Sequence, residues 1–298
     1  MCKKRRDFKC QIEAKKKEIG LKDIFKKHAK GNIDADLKVI SLGMGVQSTA
    51  LYLMSSMGYK VPRADVAIFA DPQAEHYKTY DMLEWLLKWQ EDNDGIPIVI
   101  NKDSNILNDI MKTQNRYGGK WVVIPAFGEK GGMVMRQCTN DYKIQPVKES
   151  IRKLHNLKPR KRMKPTELWL GISTDEIERM KDSRMYNIKY FYPLIYHMIS
   201  RNDCIRFFKD NNFPVPVKSS CVFCPYHSND FWKETQKENG DAWNVAVEVD
   251  EKIRNSSQKG EDDKLYLHPS LVPLKDIDFD DGQLELFEGY DCEGYCGL

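Results

Sequence analysis

Apolar positions along the chain follow two rhythms. Consecutive apolar residues gather at 37–42, 63–70, 96–100, 121–126 and 167–172; the first run breaks at Gly43 and the second at Asp71–Pro72. Short runs of this kind predict strands buried on both faces, as in a parallel sheet. Between them the apolar period lengthens. Residues 48–57 read as a helix ending at Gly58, 78–91 as a strongly amphipathic helix, and the charged stretch through Asp182 as another. Strand and helix in alternation predict an α/β fold, a mostly parallel sheet with helices on both faces.

Beyond Tyr192 the pattern changes. A helix is expected around 203–210, then a Pro-rich stretch (FPVPVKSSCVFCPYH, 213–227), a Trp-bearing helix from Asn229 and an irregular acidic end. Near the start, Ile12, Ile19, Ile24 and Phe25 are spaced among lysines as in an amphipathic helix. The expected organisation is a basic helical arm at 1–35, an α/β domain at 36–200, and a smaller, irregular, Cys-containing C-terminal subdomain at 201–298.

Composition narrows the class. Of 298 residues 41% are hydrophobic, which excludes a mostly disordered chain. No apolar run approaches the about 18 residues that cross a bilayer. Lys3, Lys4, Arg5 and Arg6 start like a signal peptide, but no apolar stretch follows, so a soluble, cytoplasmic protein with no membrane partner is expected. A net charge of +3 conceals segregation: residues 1–30 hold twelve Lys or Arg against four acids, 151–165 hold seven and no acid, and 276–298 hold eight acids and no base. Such patches suit an anionic partner, nucleic acid included, or a plain solvated face.

Candidate chemistry begins where the first strand ends, at Ser41-Leu42-Gly43-Met44-Gly45-Val46-Gln47-Ser48-Thr49. Glycines at a strand-to-helix turn let backbone approach a ligand, and the amides of a helix N-terminus attract phosphate. Ser41, Ser48 and Thr49 add hydroxyl donors. No Lys precedes Ser48, which excludes the G-K-[ST] triphosphate loop. A degenerate dinucleotide fingerprint, with Asp71 ending the second strand, and a tight turn without a ligand are the other readings.

Four further segments matter in their order. They are Phe69-Ala70-Asp71-Pro72 with Thr79-Tyr80; Arg136-Gln137-Cys138-Thr139 with Lys143 and Pro146; Gly171-Ile172-Ser173-Thr174-Asp175-Glu176 with Arg179; and Tyr192-Pro193-Leu194-Ile195 with the Cys221–Cys224 pair. With 41–48 standing for S-G-G-x-D-S, the set resembles the phosphoadenosine phosphosulfate (PAPS) reductase family and the wider PP-loop (N-type) ATP pyrophosphatases, over about 38–227. The resemblance implies a Rossmann-like α/β/α sandwich of the adenine nucleotide alpha hydrolase-like kind. It also implies ATP with Mg²⁺, or PAPS, held by Ser41, Gly43, Met44, Gly45, Gln47, Ser48, Thr49, Asp71, Lys143, Gly171 and Arg179. The chain departs from the family pattern at Met44, where a glycine is usual, at Gln47, where an aspartate is, and at Ser173, where an arginine is.

Cys221-Val222-Phe223-Cys224 is a C-x-x-C in a loop, and two thiolates at that spacing bind one metal or one cluster, with Cys138 as third ligand. The resemblance implies a [4Fe–4S] cluster on Cys138, Cys221 and Cys224, with one iron left open to carry sulfur. His227 as a fourth ligand would give a Cys3His zinc site instead, and redox or structural thiols are the remaining reading. Cys296-Gly297-Leu298 resembles the E-C-G-L end of the reductases, whose cysteine attacks the sulfate sulfur. The leading expectation is an enzyme that adenylates an acceptor, releases pyrophosphate and transfers sulfur through Cys138, Cys221 and Cys224. The expected acceptor is a nucleic-acid component, tRNA or DNA, served by a sulfur-donor partner. The alternatives are a sulfonucleotide reductase using Cys296 with a thiol reductant protein, and a non-catalytic nucleotide-binding regulator.

Overall fold

The computed structural model describes residues 34–113, 116–117, 122–134, 136–255 and 264–280; the basic arm through residue 33 and Cys296 lie outside them. In chain order the first half carries β1 (Leu37–Ser41), α1 (Val46–Met57), β2 (Val66–Ala70), α2 (Tyr77–Asp92), β3 (Ile98–Asn101), α3 (Ile106–Met111) and β4 (Phe127–Gly128). A π-helical turn (Thr139–Ile144) runs into α4 (Gln145–Leu154), followed by β5 (Thr166–Leu170), a 3₁₀ turn (Thr174–Arg179) and β6 (Ile188–Phe191). Helices α5 (Pro193–Tyr196), α6 (Arg201–Asp210), α7 (Asn229–Glu238) and α8 (Gly240–Ile253) and strand β7 (Leu265–Tyr266) complete it.

Five strands form one wholly parallel sheet in the order β3-β2-β1-β5-β6. Side-chain alternation divides its residues between two faces. Ile40, Ala67, Phe69, Trp169 and Phe191 pack with α1, α2 and α6 on one side. Val39, Val66, Ile68, Leu168, Leu170 and Ile188 pack with Val147 and Ile151 of α4 on the other. Apolar residues on both faces make the strands read as unbroken runs, and the expected α/β sandwich is the fold observed.

A further core joins α3, residues 122–126, α7 and α8 around Phe223, Trp232 and Val249. Segments from the middle of the chain cross over here: α6 belongs to the core of the sheet, whereas 106–142 pack with the C-terminal helices. Two expected elements are corrected. Residues 122–126 are buried without forming a strand, because the Val123 carbonyl accepts the amides of Gln137 and Cys138, both at 2.9 Å, leaving only Phe127–Gly128 to pair antiparallel with Leu265–Tyr266. The charged stretch after β5 is a single 3₁₀ turn rather than a helix through Asp182, broken at Glu176 (φ −121°, ψ 29°).

Candidate functional site

Strands β2 and β5 flank β1, so the crossovers leave β1 in opposite directions, and open α/β sheets bind ligands in the crevice beyond the strand ends at such a point. The loop after β1 occupies it. Leu42 is anchored by its amide on the Ile68 carbonyl (2.9 Å), and Met44, nearly fully buried, holds φ +59°, a left-handed conformation that favours glycine. Gly45 then caps α1 with no side-chain hydrogen bond, and no acidic residue stands in the first turn. Thr49 Oγ1 is buried without a partner. An uncapped, acid-free helix N-terminus has the free amides and dipole that suit an anion.

The end of β5 closes the other wall. A Cβ on Gly171 would stand 2.6 Å from Ser48 Cα and 2.7 Å from Ser48 N, so only glycine lets β5 press its backbone onto the start of α1. Ser48 Oγ donates to the Gly45 carbonyl at 3.2 Å. Ser41 ends β1 directly below the loop, and Gly43 is exposed at its tip.

Gln47 is buried and bridges two elements: its Oε1 accepts from Arg201 Nη1 (2.9 Å) and its Nε2 donates to Glu176 Oε2 (3.2 Å). Arg179 is ion-paired with that same Glu176 at 2.7 Å. Lys143 pairs with Glu75 at 3.0 Å, so both cations expected to meet phosphate are held by carboxylates. Asp71 accepts from the Gln73 amide (2.7 Å) and the Tyr80 hydroxyl (2.9 Å), which shapes the turn after β2. His76 caps α2 and packs on Tyr77 and Phe231.

The thiols sit along the same edge, beside the loop that follows β2. Cys221 bridges Glu75, Val222 N donates to Ala74 O (2.9 Å), and Cys224 N donates to Cys221 O (3.0 Å). Cys138 starts the π-helical turn that carries Lys143; such turns recur at functional sites. Burial pushes the Cys221 thiol well up; the Glu75 carboxylate and the neighbouring Cys224 and Cys138 add to this, and Lys143 opposes it. Burial raises Cys138 too, against Lys143 and Arg136. Cys138 and Cys224 both lie near enough to Cys221 to act on its charge, while Cys204 lies buried in the core of the sheet.

Among the described residues no three His, Cys, Asp or Glu side chains are grouped to hold a single metal ion. Zinc needs four donors about 2.0–2.3 Å from one centre. The Cys3His arrangement is therefore not formed; His227 Nε2 instead donates to the Cys221 carbonyl (2.8 Å), and its ring stacks on Phe231 at 3.4 Å. A cubane cluster places each cysteine on a different iron, and Cys138, Cys221 and Cys224 are three thiols close enough to interact with one another's charge. Glu75, Ser219 and Arg201 were not legible beforehand. Glu75 is buried and accepts from Ser219 Oγ (3.0 Å) as well as Lys143, and its one sequence signal is a carboxylate two residues before a helix that follows a buried strand.

No family model matches this chain, and no curated protein matches it. Its structure is similar to that of phosphoadenylyl-sulfate (PAPS) reductase from Candida auris in a phosphate complex, with 13% identity, 62% of this chain and 77% of that one covered, and a TM-score of 0.40. It is also similar to the U34-tRNA thiolase NcsA from Methanococcus maripaludis with its [4Fe-4S] cluster, with 16% identity, 78% of each chain covered, and a TM-score of 0.41. Both are likenesses of overall fold at low sequence identity. No helix among the described residues is long and apolar enough to cross a membrane.

Proposed function

We propose that this chain is an adenine-nucleotide-binding enzyme of the ATP-pyrophosphatase type. In this reading it adenylates an oxygen of a nucleic-acid acceptor and exchanges that oxygen for sulfur. The observation that carries the reading is the uncapped, acid-free N-terminus of α1, fed by a loop strained at Met44 and walled by Gly171. The amides of 46–48 and the hydroxyls of Ser48 and Thr49 would hold the pyrophosphate portion of ATP–Mg²⁺. The acceptor oxygen attacks the α-phosphorus, the bond to the β-phosphate oxygen breaks, and pyrophosphate leaves. A sulfur nucleophile from a donor then attacks the activated carbon, and AMP departs with the original oxygen.

Arg179 and Arg201, linked through Glu176 and Gln47, fix the wall beside the leaving group and offset its charge. Cys138, Cys221 and Cys224 would hold a [4Fe–4S] cluster, which supplies a binding position for the incoming sulfur. Buried Glu75, paired with half-buried Lys143, holds the C-x-x-C loop against the loop after β2 through Ser219. Incubation of anaerobically purified protein with α-labelled ATP, Mg²⁺ and an RNA pool tests the reading. Acceptor-dependent AMP and pyrophosphate in equal amounts are expected; ADP and phosphate, or no turnover with any acceptor, would contradict it.

A further inference from the structure

We propose that the basic loop before β5, with the loop that precedes β6, forms a docking surface for nucleic acid. It rests on the nucleic-acid acceptor of the reading above and assigns that acceptor a place to bind. Residues 158–164 present Lys158, Arg160, Lys161, Arg162 and Lys164, all exposed, with no acid among them. Among the described residues none of these five is ion-paired with a carboxylate.

The loop is built rather than loose. Arg152 of α4 donates Nη1 to the Lys161 carbonyl (2.9 Å) and Nη2 to the Lys158 carbonyl (3.0 Å), so one guanidinium pins the backbone from which its neighbours project. Asn187 Nδ2 donates to the Met163 carbonyl (2.8 Å), fastening the second loop alongside. That loop contributes Arg184, exposed, and Tyr186, 69% exposed, whose ring lies 5.7 Å from the Arg162 guanidinium.

Unpaired cations serve any phosphate-bearing partner. An exposed ring beside a guanidinium adds a platform on which a base stacks, which favours nucleic acid over an acidic peptide. Within the loop the apolar residues Leu157 and Met163 are half-buried, so it offers no large side chain to insert into a bilayer.

Position sets the size of the partner. The five-residue β5 leads from this loop to Gly171, which places the basic surface and the proposed nucleotide site at opposite ends of the strands, about 17 Å apart at ~3.3 Å per residue. The partner must pass β6, the edge strand, where Lys189 is exposed. A folded RNA or a duplex longer than one turn, about 34 Å, spans this distance, and a mononucleotide does not.

Fluorescence anisotropy with a labelled RNA hairpin and with duplex DNA of equal length, in a salt series, tests the surface on the full chain. The triple variant Arg160→Glu, Lys161→Glu, Arg162→Glu is expected to bind at least about thirtyfold more weakly. Its salt slope should be shallower by about two to three units, at ~0.7–0.9 per phosphate contact. Tyr186→Ala should weaken binding several-fold and leave the slope unchanged. Melting temperature and ATP affinity of the triple variant should match wild type. Equal affinity and slope for wild type and triple variant would overturn the surface, as would tighter binding of wild type to phosphatidylserine vesicles than to either nucleic acid. Wild type that binds nucleic acid through this loop but takes no ATP would overturn the proposed function and leave the surface standing.

Discussion

Arg201 Nη1 and Gln47 Oε1 meet at 2.9 Å, joining the first turns of α6 and α1 across 154 positions of chain. The amide is suited to this place because it accepts from a guanidinium on one side and donates to Glu176 on the other, at 3.2 Å. A carboxylate could make only the first bond and would face Glu176 with like charge. Gln47→Glu is therefore expected to weaken ATP binding about tenfold, about 1.4 kcal/mol, and the added Glu176→Gln change to restore most of it. Calorimetric titration of both variants reads this directly, and a single variant that binds like wild type would refute the bridge's role.

Gly171 tolerates no side chain without moving the start of α1, since the clash is with Ser48 backbone rather than a flexible side chain. Gly171→Ala should cost about 1–3 kcal/mol of stability, as overpacked sites do. ATP affinity should fall alongside. Denaturant unfolding with a parallel titration checks both, and retained ATP affinity would detach Gly171 from the site.

Glu75 is 1% exposed at its side chain and leans on Lys143 and Ser219. Removing the cation leaves a buried carboxylate with one hydroxyl partner, a loss of about 3 kcal/mol or more. Lys143→Met should accordingly lower the melting temperature sharply, whereas the pair Lys143→Met, Glu75→Gln should recover much of it. Equal destabilisation in single and double variants would show that the charge pair is not what matters.

The fold was legible where burial is symmetrical. The strand runs at 37–42 and 167–172 are apolar because both faces of the central sheet are covered, and that pattern survives in one dimension. The run at 121–126 looks the same but spends the Val123 carbonyl on the turn that begins at Cys138, a use invisible to periodicity. The turn from β1 into α1 was legible because its signals are local: two glycines, hydroxyls and a helix start. Arg201 and Glu75 were not, because their partners lie 154 and 68 positions away.

His268 carries a pH dependence. Ser270 N donates to Nδ1 (3.2 Å), so Nε2 bears the proton and donates to Asn229 Oδ1 (2.9 Å). Burial holds the ring's pKa down to about 4, below the ordinary value of 6.5. The folded state thus binds fewer protons than the unfolded one. The stabilisation is complete above pH about 6.5 and is lost as pH falls from there towards 4. Unfolding free energies across that window should decline in wild type and flatten in His268→Gln; parallel curves would assign the pH dependence elsewhere.

The central claim is that the N-terminus of α1 holds the phosphates of ATP. Calorimetric titration of anaerobically purified protein with ATP–Mg²⁺, and separately with PAPS, tests it most directly. The account predicts saturable binding with preference for ATP, abolished or weakened at least tenfold by Gly171→Ala. Preference for PAPS would contradict the adenylation reading, and binding of neither nucleotide would contradict the phosphate site itself.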